Sequence, residues 1–285
     1  MEKKCYHLCT TALKESVLCQ DKKDYLFLWN SIAICAATGG IKIYCLCLMS
    51  NHFHILLLAT EDDIDSFFAR LKSRIGHYLK QRYGKVIVAG LEYELYQVVD
   101  RKAFRHETAY ILRNPYKAKI DSPLSYPWSS VMAYFIRTER VGTAVKDMRD
   151  RVKRAVLNSC QAVPGNMLVS PEGMILPESF VDWKSTEKMF GESAIQFFDL
   201  LKKWNLEDIV NESHGETVTD AYSDDEVLAG IREICRDNFG GLEPERMPEK
   251  TLARLIRRVH ARFGSSRAQL LRLLPTDGDL LDRLL

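Results

Sequence analysis

The sequence predicts an α+β protein, an antiparallel sheet backed by helices and followed by a helical extension. Three observations carry that reading. Strand-like and helix-like spacings of apolar residues alternate through the first half; one long apolar run, residues 41–60, breaks only at Ser50-Asn51; and beyond residue 140 the periodicity is almost entirely helical. The chain of 285 residues is 46% apolar, enough to bury a core and unlike a disordered or fibrous chain.

Residues 6–13, rich in Thr and apolar side chains, form the first expected strand, and residues 24–37 fit a helix ended by Gly39-Gly40. The two halves of 41–60 read as strands joined by a tight turn at Ser50-Asn51. From 61 to 82, Ile64, Phe67, Phe68, Leu71, Ile75, Tyr78 and Leu79 recur at three and four residues, with Glu61, Asp62 and Asp63 at the start and Gly84 past the end. That is an amphipathic helix whose outward side carries Arg70, Arg74, His77 and Lys80. Residues 91–99 follow as a strand. Residues 103–113 read as a helix stopped by Asn114-Pro115, because the residue before a proline is pushed out of the helical region. A Pro-rich aromatic stretch, 122–128, closes the unit near Phe135. The order β-α-β-β-α-β-α is similar to the ferredoxin-like motif.

Helices are expected in the remainder at 144–155, 185–204, 225–236, 249–262 and 266–274. Between Leu206 and Glu226 stand eight acidic residues and no Lys or Arg, the composition of a linker. The expected organisation is therefore a first domain over 1–137, a helical extension over 138–205, an acidic linker over 206–226 and a helical unit over 227–285.

With 40 basic against 38 acidic side chains the overall charge of +2 excludes a polyelectrolyte. The charge is uneven, however, since residues 71–120 hold 11 basic and only 4 acidic side chains. The eight cysteines, Cys5, Cys9, Cys19, Cys35, Cys45, Cys47, Cys160 and Cys235, follow no framework spacing and read as reduced thiols. No apolar run is long enough for a membrane span and no leader pattern opens the chain, so the expectation is a cytoplasmic protein with no membrane partner.

His52-Phe53-His54 stands just after the hairpin turn. Side chains two apart on a strand share a face, so two imidazoles are brought together and invite a divalent metal; the plainer alternative is two ordinary polar residues at a strand end. A rival metal reading adds Cys45 and Cys47 from across the hairpin, as for structural zinc, against which stand the one-residue spacing of each pair and the frequency of inert cysteines in apolar strands. A second feature is His106, Tyr110 and Asn114, spaced by four on one helix and so projecting from one side. A tyrosine is a weak nucleophile until a metal or base favours the phenolate, and phosphate esters are the substrates such a group attacks.

These residues resemble the single-tyrosine HUH transposases, including the REP-associated tyrosine transposases. The resemblance is carried by Tyr44, by Cys47-Leu48-Met49-Ser50-Asn51-His52-Phe53-His54-Ile55-Leu56, by Tyr110-Ile111 to Asn114-Pro115, and by Tyr126-Pro127-Trp128-Ser129-Ser130 followed by Ala133-Tyr134. It covers about half of the chain. It implies an HUH catalytic domain in which His52, His54 and Asn114 hold Mg²⁺ or Mn²⁺ and Tyr110 is the nucleophile. The activity implied is cleavage and strand transfer of single-stranded or hairpin DNA, REP-like hairpins among them, through a 5′-phosphotyrosine. Ser50 stands where many relatives have proline, and Glu92 and Glu94 stand in a segment that contacts DNA in relatives.

His106, one turn before Tyr110, is a candidate auxiliary proton acceptor or ligand with no counterpart in the family. Arg70, Arg74, Lys80, Arg101, Arg105, Arg113 and Lys117 are candidates for the DNA backbone. In the last unit, 251–262, a Gly264-Ser265-Ser266 turn and 267–274 have the order of a helix-turn-helix, with a dimer contact as the alternative. The resemblance implies a monomer or a homodimer. Competing functions are a catalytically silent DNA-binding regulator on the same fold and a structural-zinc adaptor.

Overall fold

The computed structural model describes residues 2–11, 17–84, 88–136, 141–158, 163–202, 224–263, 265 and 267–284. Residues 12–13 of the first expected strand, Cys160 and the acidic linker up to residue 223 lie outside them. The first unit runs β1 (Lys4–Thr10), α1 (Lys22–Gly39), β2 (Lys42–Leu48), β3 (Phe53–Ala59), α2 (Glu61–Tyr83), β4 (Tyr93–Gln97) and α3 (Arg101–Lys117). The sheet order is β2-β3-β1-β4 with every neighbour antiparallel, the order expected of the ferredoxin-like motif.

Local chemistry sets the helix limits. Asp21 caps α1 by accepting from the amides of Lys23 and Asp24, and Gly40 ends it at φ 65°, where a side chain would be strained. Thr60 caps α2, whose first turn carries Glu61, Asp62 and Asp63 and whose last turn carries Lys80 and Arg82, matching the helix dipole at both ends. Asp100 caps α3.

Helix α3 does not stop at Asn114. It continues through Pro115 to Lys117. Proline at this position removes the amide that would bond the Ile111 carbonyl, and the Asn114 side chain replaces it, its Nδ2 donating to the carbonyls of Ile111 (3.3 Å) and Tyr110 (3.2 Å). A donor next to the proline thus offsets the lost bond, which the dipeptide rule does not consider.

Alternation along the strands makes two faces. Tyr6, Leu8, Phe53, Ile55 and Leu57 share one, and α2 covers its margin, where Tyr6 donates to Glu61 (2.8 Å) and Phe68 packs on Tyr93 (4.6 Å between centroids). Cys5, His7, Cys9, Cys45, Cys47 and His54 share the other, against which α3 lies: the Cys45 thiol is 3.9 Å from the Thr108 carbonyl and His7 meets Glu107. The free edge of β2 is covered by the Pro-rich stretch, where Leu48 N donates to Trp128 O and Ser130 N to Leu46 O, with the Tyr126 hydroxyl on Leu48 O (2.8 Å).

Beyond it come β5 (Thr143–Ala144), α4 (Asp150–Leu157), β6 (Leu168–Val169), α5 (Trp183–Met189) and α6 (Ala194–Lys202). The helix expected over 144–155 starts only at Asp150, since 143–144 pair with 168–169 as a small ribbon. The helix expected over 185–204 is two, broken at Phe190 to Ser193 where Gly191 has φ 67°. Phe190, Phe197 and Leu201 join the core that contains the sheet, so the extension shares the hydrophobic core of the first unit.

The last unit has its own core and consists of α7 (Asp224–Asn238), α8 (Glu249–Phe263), α9 (Arg267–Leu273) and α10 (Gly278–Leu284). Within this unit Arg258 bonds Asn238, Arg262 pairs with Glu233, Arg267 with Asp282 and Arg272 with Asp224.

Candidate active site

Strand β3 begins immediately after the turn, so His52 and His54 fall on the face toward α3 with their rings 4.9 Å apart, edge to face. Tyr110 on α3 stands 5.7 Å from His54, also edge to face. His52 and His54 are only 6% and 3% exposed. Burial lowers both imidazoles, His52 to about 4 and His54 well below its ordinary value, with the charges of His52, His7 and Lys117 adding to the effect at His54. Both rings are therefore neutral at neutral pH, the form that ligates a metal.

Two residues that sequence reasoning missed complete the cluster. His7 on β1, 4% exposed, places Nε2 3.0 Å from His54 Nδ1 and Nδ1 2.8 Å from the Glu107 carboxylate of α3. Its ring lies 5.6 Å from Tyr110 and 5.9 Å from Tyr96. The signal available was the alternation of β1, which sets Cys5, His7 and Cys9 on one face, but the sequence does not give the β1–β3 register that brings His7 to His54. Glu107 precedes Tyr110 by three residues and so shares its side of the helix.

His106, the candidate auxiliary residue, is exposed. It lines a cavity of about 500 Å³ between α3 and α6 with Arg101, Lys102, Arg105, Gln196, Asp199 and Leu200. The helix position that reaches the histidines is Glu107. Asn114 is buried, and with its Nδ2 turned to the helix backbone its Oδ1 is the atom left for a ligand.

The proposed backbone contacts separate into groups. Lys117 holds its ammonium 4.5 Å from the centre of the Tyr110 ring, at the cluster itself. Arg113 is buried. Arg101 instead bonds the carbonyls of Met189 (2.7 Å) and Lys188 (3.2 Å), and Arg105 bonds Gln196 and lies over Phe190, so both fasten the extension to α3. Arg70, Arg74 and Lys80 sit on α2, which serves the opposite face of the sheet. Arg74 is not outward: it bonds Ser31 and the carbonyls of Leu157 and Asn158. Arg70 packs where a side chain on Gly39 would stand. Periodicity identified the apolar side of α2 but could not show that α1 and α4 take up its polar side. Lys80 is exposed.

The zinc alternative finds no support. Cys45 approaches Thr108 and Cys47 approaches Met49, and among the described residues no three His, Cys, Asp or Glu side chains are grouped to hold a metal. Glu94 shares the histidine face at the sheet edge, opposite Cys9, and accepts from the Tyr96 hydroxyl; Glu92 is exposed.

The imidazole pair thus lies on an inner strand of the sheet, with Tyr110 presented by the helix that packs over it. Residues 2–97, the stretch that holds the two histidines, match the family model described as "Transposase IS200 like". That match ends before α3, so Tyr110 and Asn114 stand outside it. A solved structure described as "Structure of the REP associates tyrosine transposase bound to a REP hairpin" aligns with 46% of this chain and 78% of its own, at 16% identity and a TM-score of 0.39. No curated protein matches. No helix among the described residues is long and apolar enough to cross a membrane.

Proposed function

We propose that this protein cleaves and rejoins single-stranded DNA at hairpins of the REP kind, with Tyr110 as nucleophile and His52, His54 and Asn114 as ligands of Mg²⁺ or Mn²⁺. The observation that carries the reading is the cluster of buried His52 and His54 with half-buried Tyr110, ring centres 4.9 Å (His52–His54) and 5.7 Å (His54–Tyr110) apart. The family match over residues 2–97 supports DNA processing of the transposase type, and the choice of a hairpin follows from the sequence resemblance to the REP-associated tyrosine transposases.

The donor set fits a divalent cation: two neutral imidazoles and an amide oxygen leave coordination positions for phosphate and water. When bound, the cation would polarise the scissile phosphate and stabilise charge on its oxygens. The remaining roles belong to the chain. Tyr110 Oη attacks the phosphorus, the bond to the 3′ oxygen breaks, the 3′-hydroxyl leaves, and the DNA is held as a 5′-phosphotyrosine. Attack by another 3′-hydroxyl reverses the step and joins strands. Lys117 supplies positive charge beside the nucleophile, where it attracts the polyanion.

The test incubates the full-length protein with labelled single-stranded hairpin oligonucleotides and Mg²⁺ or Mn²⁺, then seeks adducts that survive denaturation. The reading expects adducts in wild type and none in Tyr110→Phe or in chelator. Hairpin binding without any adduct would favour the silent regulator, and adducts persisting in Tyr110→Phe would move the nucleophile elsewhere.

A further inference from the structure

The cluster contains more polar groups than the proposed chemistry uses. His7 and Glu107 touch no substrate in that scheme, yet His7 is buried and bonded at both ring nitrogens. A buried imidazole with two partners has its proton positions dictated by them.

We propose that His7 and Glu107 are positioning residues: a relay from Glu107 through His7 that locks His54 in the tautomer whose Nε2 can hold a metal ion. The inference rests on the reading in which His52 and His54 are metal ligands. The relay starts at the carboxylate. Glu107 can only accept, so the His7 nitrogen 2.8 Å away, Nδ1, carries the proton. In a neutral ring Nε2 is then the acceptor, and at 3.0 Å it takes the Nδ1 proton of His54. His54 Nε2 is left with its lone pair.

The far end of the relay agrees. The Cys9 thiol lies 4.0 Å from His54 Nε2, where it offers only a weak S–H to the nitrogen. His52 reaches the same state by a shorter route, since Asn51 Oδ1 accepts from its Nδ1 at 2.9 Å and again Nε2 remains. Both imidazoles therefore present Nε2, His52 through a neighbour in the turn and His54 through a pair of residues on β1 and α3. The second route also ties the helix that bears Tyr110 to the strand that bears the histidines. One relay thus fixes a ligand's proton and the height of the nucleophile's helix over the sheet.

Outer partners of this type typically change metal affinity by about 10–100-fold when removed. The test measures Mn²⁺ binding to the full-length protein without DNA, by the loss of the free-ion paramagnetic resonance signal. His7→Leu and Glu107→Leu are expected to weaken binding by about 10–100-fold. His7→Gln is expected to recover most of it, because its Oε1 can stand in for Nε2 as acceptor of the His54 proton. The unfolding midpoint of the metal-free protein should be alike in His7→Leu and His7→Gln, so a filler role for His7 would not reproduce the pattern. If His7→Leu does not fold, Glu107→Leu, at a half-exposed helix position, carries the test. Unchanged affinity in the leucine variants, or equal affinity in His7→Leu and His7→Gln, overturns the relay alone, provided His52→Ala abolishes binding. Wild type that binds no Mn²⁺, or binds it equally well in His52→Ala, overturns the metal reading and the relay with it.

Discussion

Neighbouring residues of the same strands build two faces that serve opposite ends. On one face Leu8, Phe53, Ile55 and Leu57 are buried as apolar side chains; on the other His7 and His54 are almost equally buried and polar. Burial on the first face removes apolar surface from water, the usual source of stability. Burial on the second costs stability unless every polar atom is matched, and the His54, His7 and Glu107 chain performs that matching. The degree of burial alone therefore does not mark a core: partners do.

The largest expected effect comes from breaking the two faces at consecutive positions. Phe53→Ala should lower the free energy of unfolding by about 3–5 kcal/mol in a urea titration, as a large-to-small change in a packed core. His54→Ala should cost about 1–2 kcal/mol while abolishing metal-dependent adducts. Similar losses of stability in both would mean that the histidine face is ordinary core.

Acid should act on the histidine face. His52 is lowered to about 4 in the fold from an ordinary value of 6.5, so on acidification the unfolded chain binds the proton first. Its contribution is fully present above about pH 6.5 and is lost as pH falls toward about 4, amounting to at most about 3 kcal/mol. Urea midpoints of metal-free protein should fall across that window, and His52→Gln should flatten part of the slope.

A smaller effect separates the two duties of Asn114. Asn114→Ala removes the donor to the Ile111 carbonyl and should cost about 1 kcal/mol along with activity. Adding Pro115→Ala restores a backbone amide for that carbonyl, so stability should return while adduct formation does not. Return of both would make Asn114 structural only. The smallest expected effect is chemical. Cys5, Cys9 and Cys45 are pushed up to about 12 by burial, so iodoacetamide at about pH 8 should label them far more slowly in the native protein than in urea. Fast labelling of Cys9 would show that the histidine face is open to solvent.

Much was legible without coordinates. The turn at Ser50-Asn51, the limits of α2 and the α+β order follow from residues adjacent in sequence, where spacing and caps act locally. Local rules also misled: a proline implied the end of α3, and one periodic stretch implied a single helix where Gly191 breaks it in two. Arg74, Arg101 and Arg105 read as free charge because a sequence shows a side chain's type and not its partner.

By itself the sequence determined that His52 and His54 share a face and that Tyr110 and Asn114 share a side of one helix, because strand and helix periods are properties of the backbone. Only the tertiary structure decided that Tyr110 meets His54, that the register of β1 on β3 brings His7 to His54, and that Glu107 stands beside His7. Those contacts join residues 47 apart and 100 apart in the chain, His7 with His54 and His7 with Glu107. No local preference encodes such pairings, which arise when the sheet order and the docking of α3 are settled together by burial of the whole core.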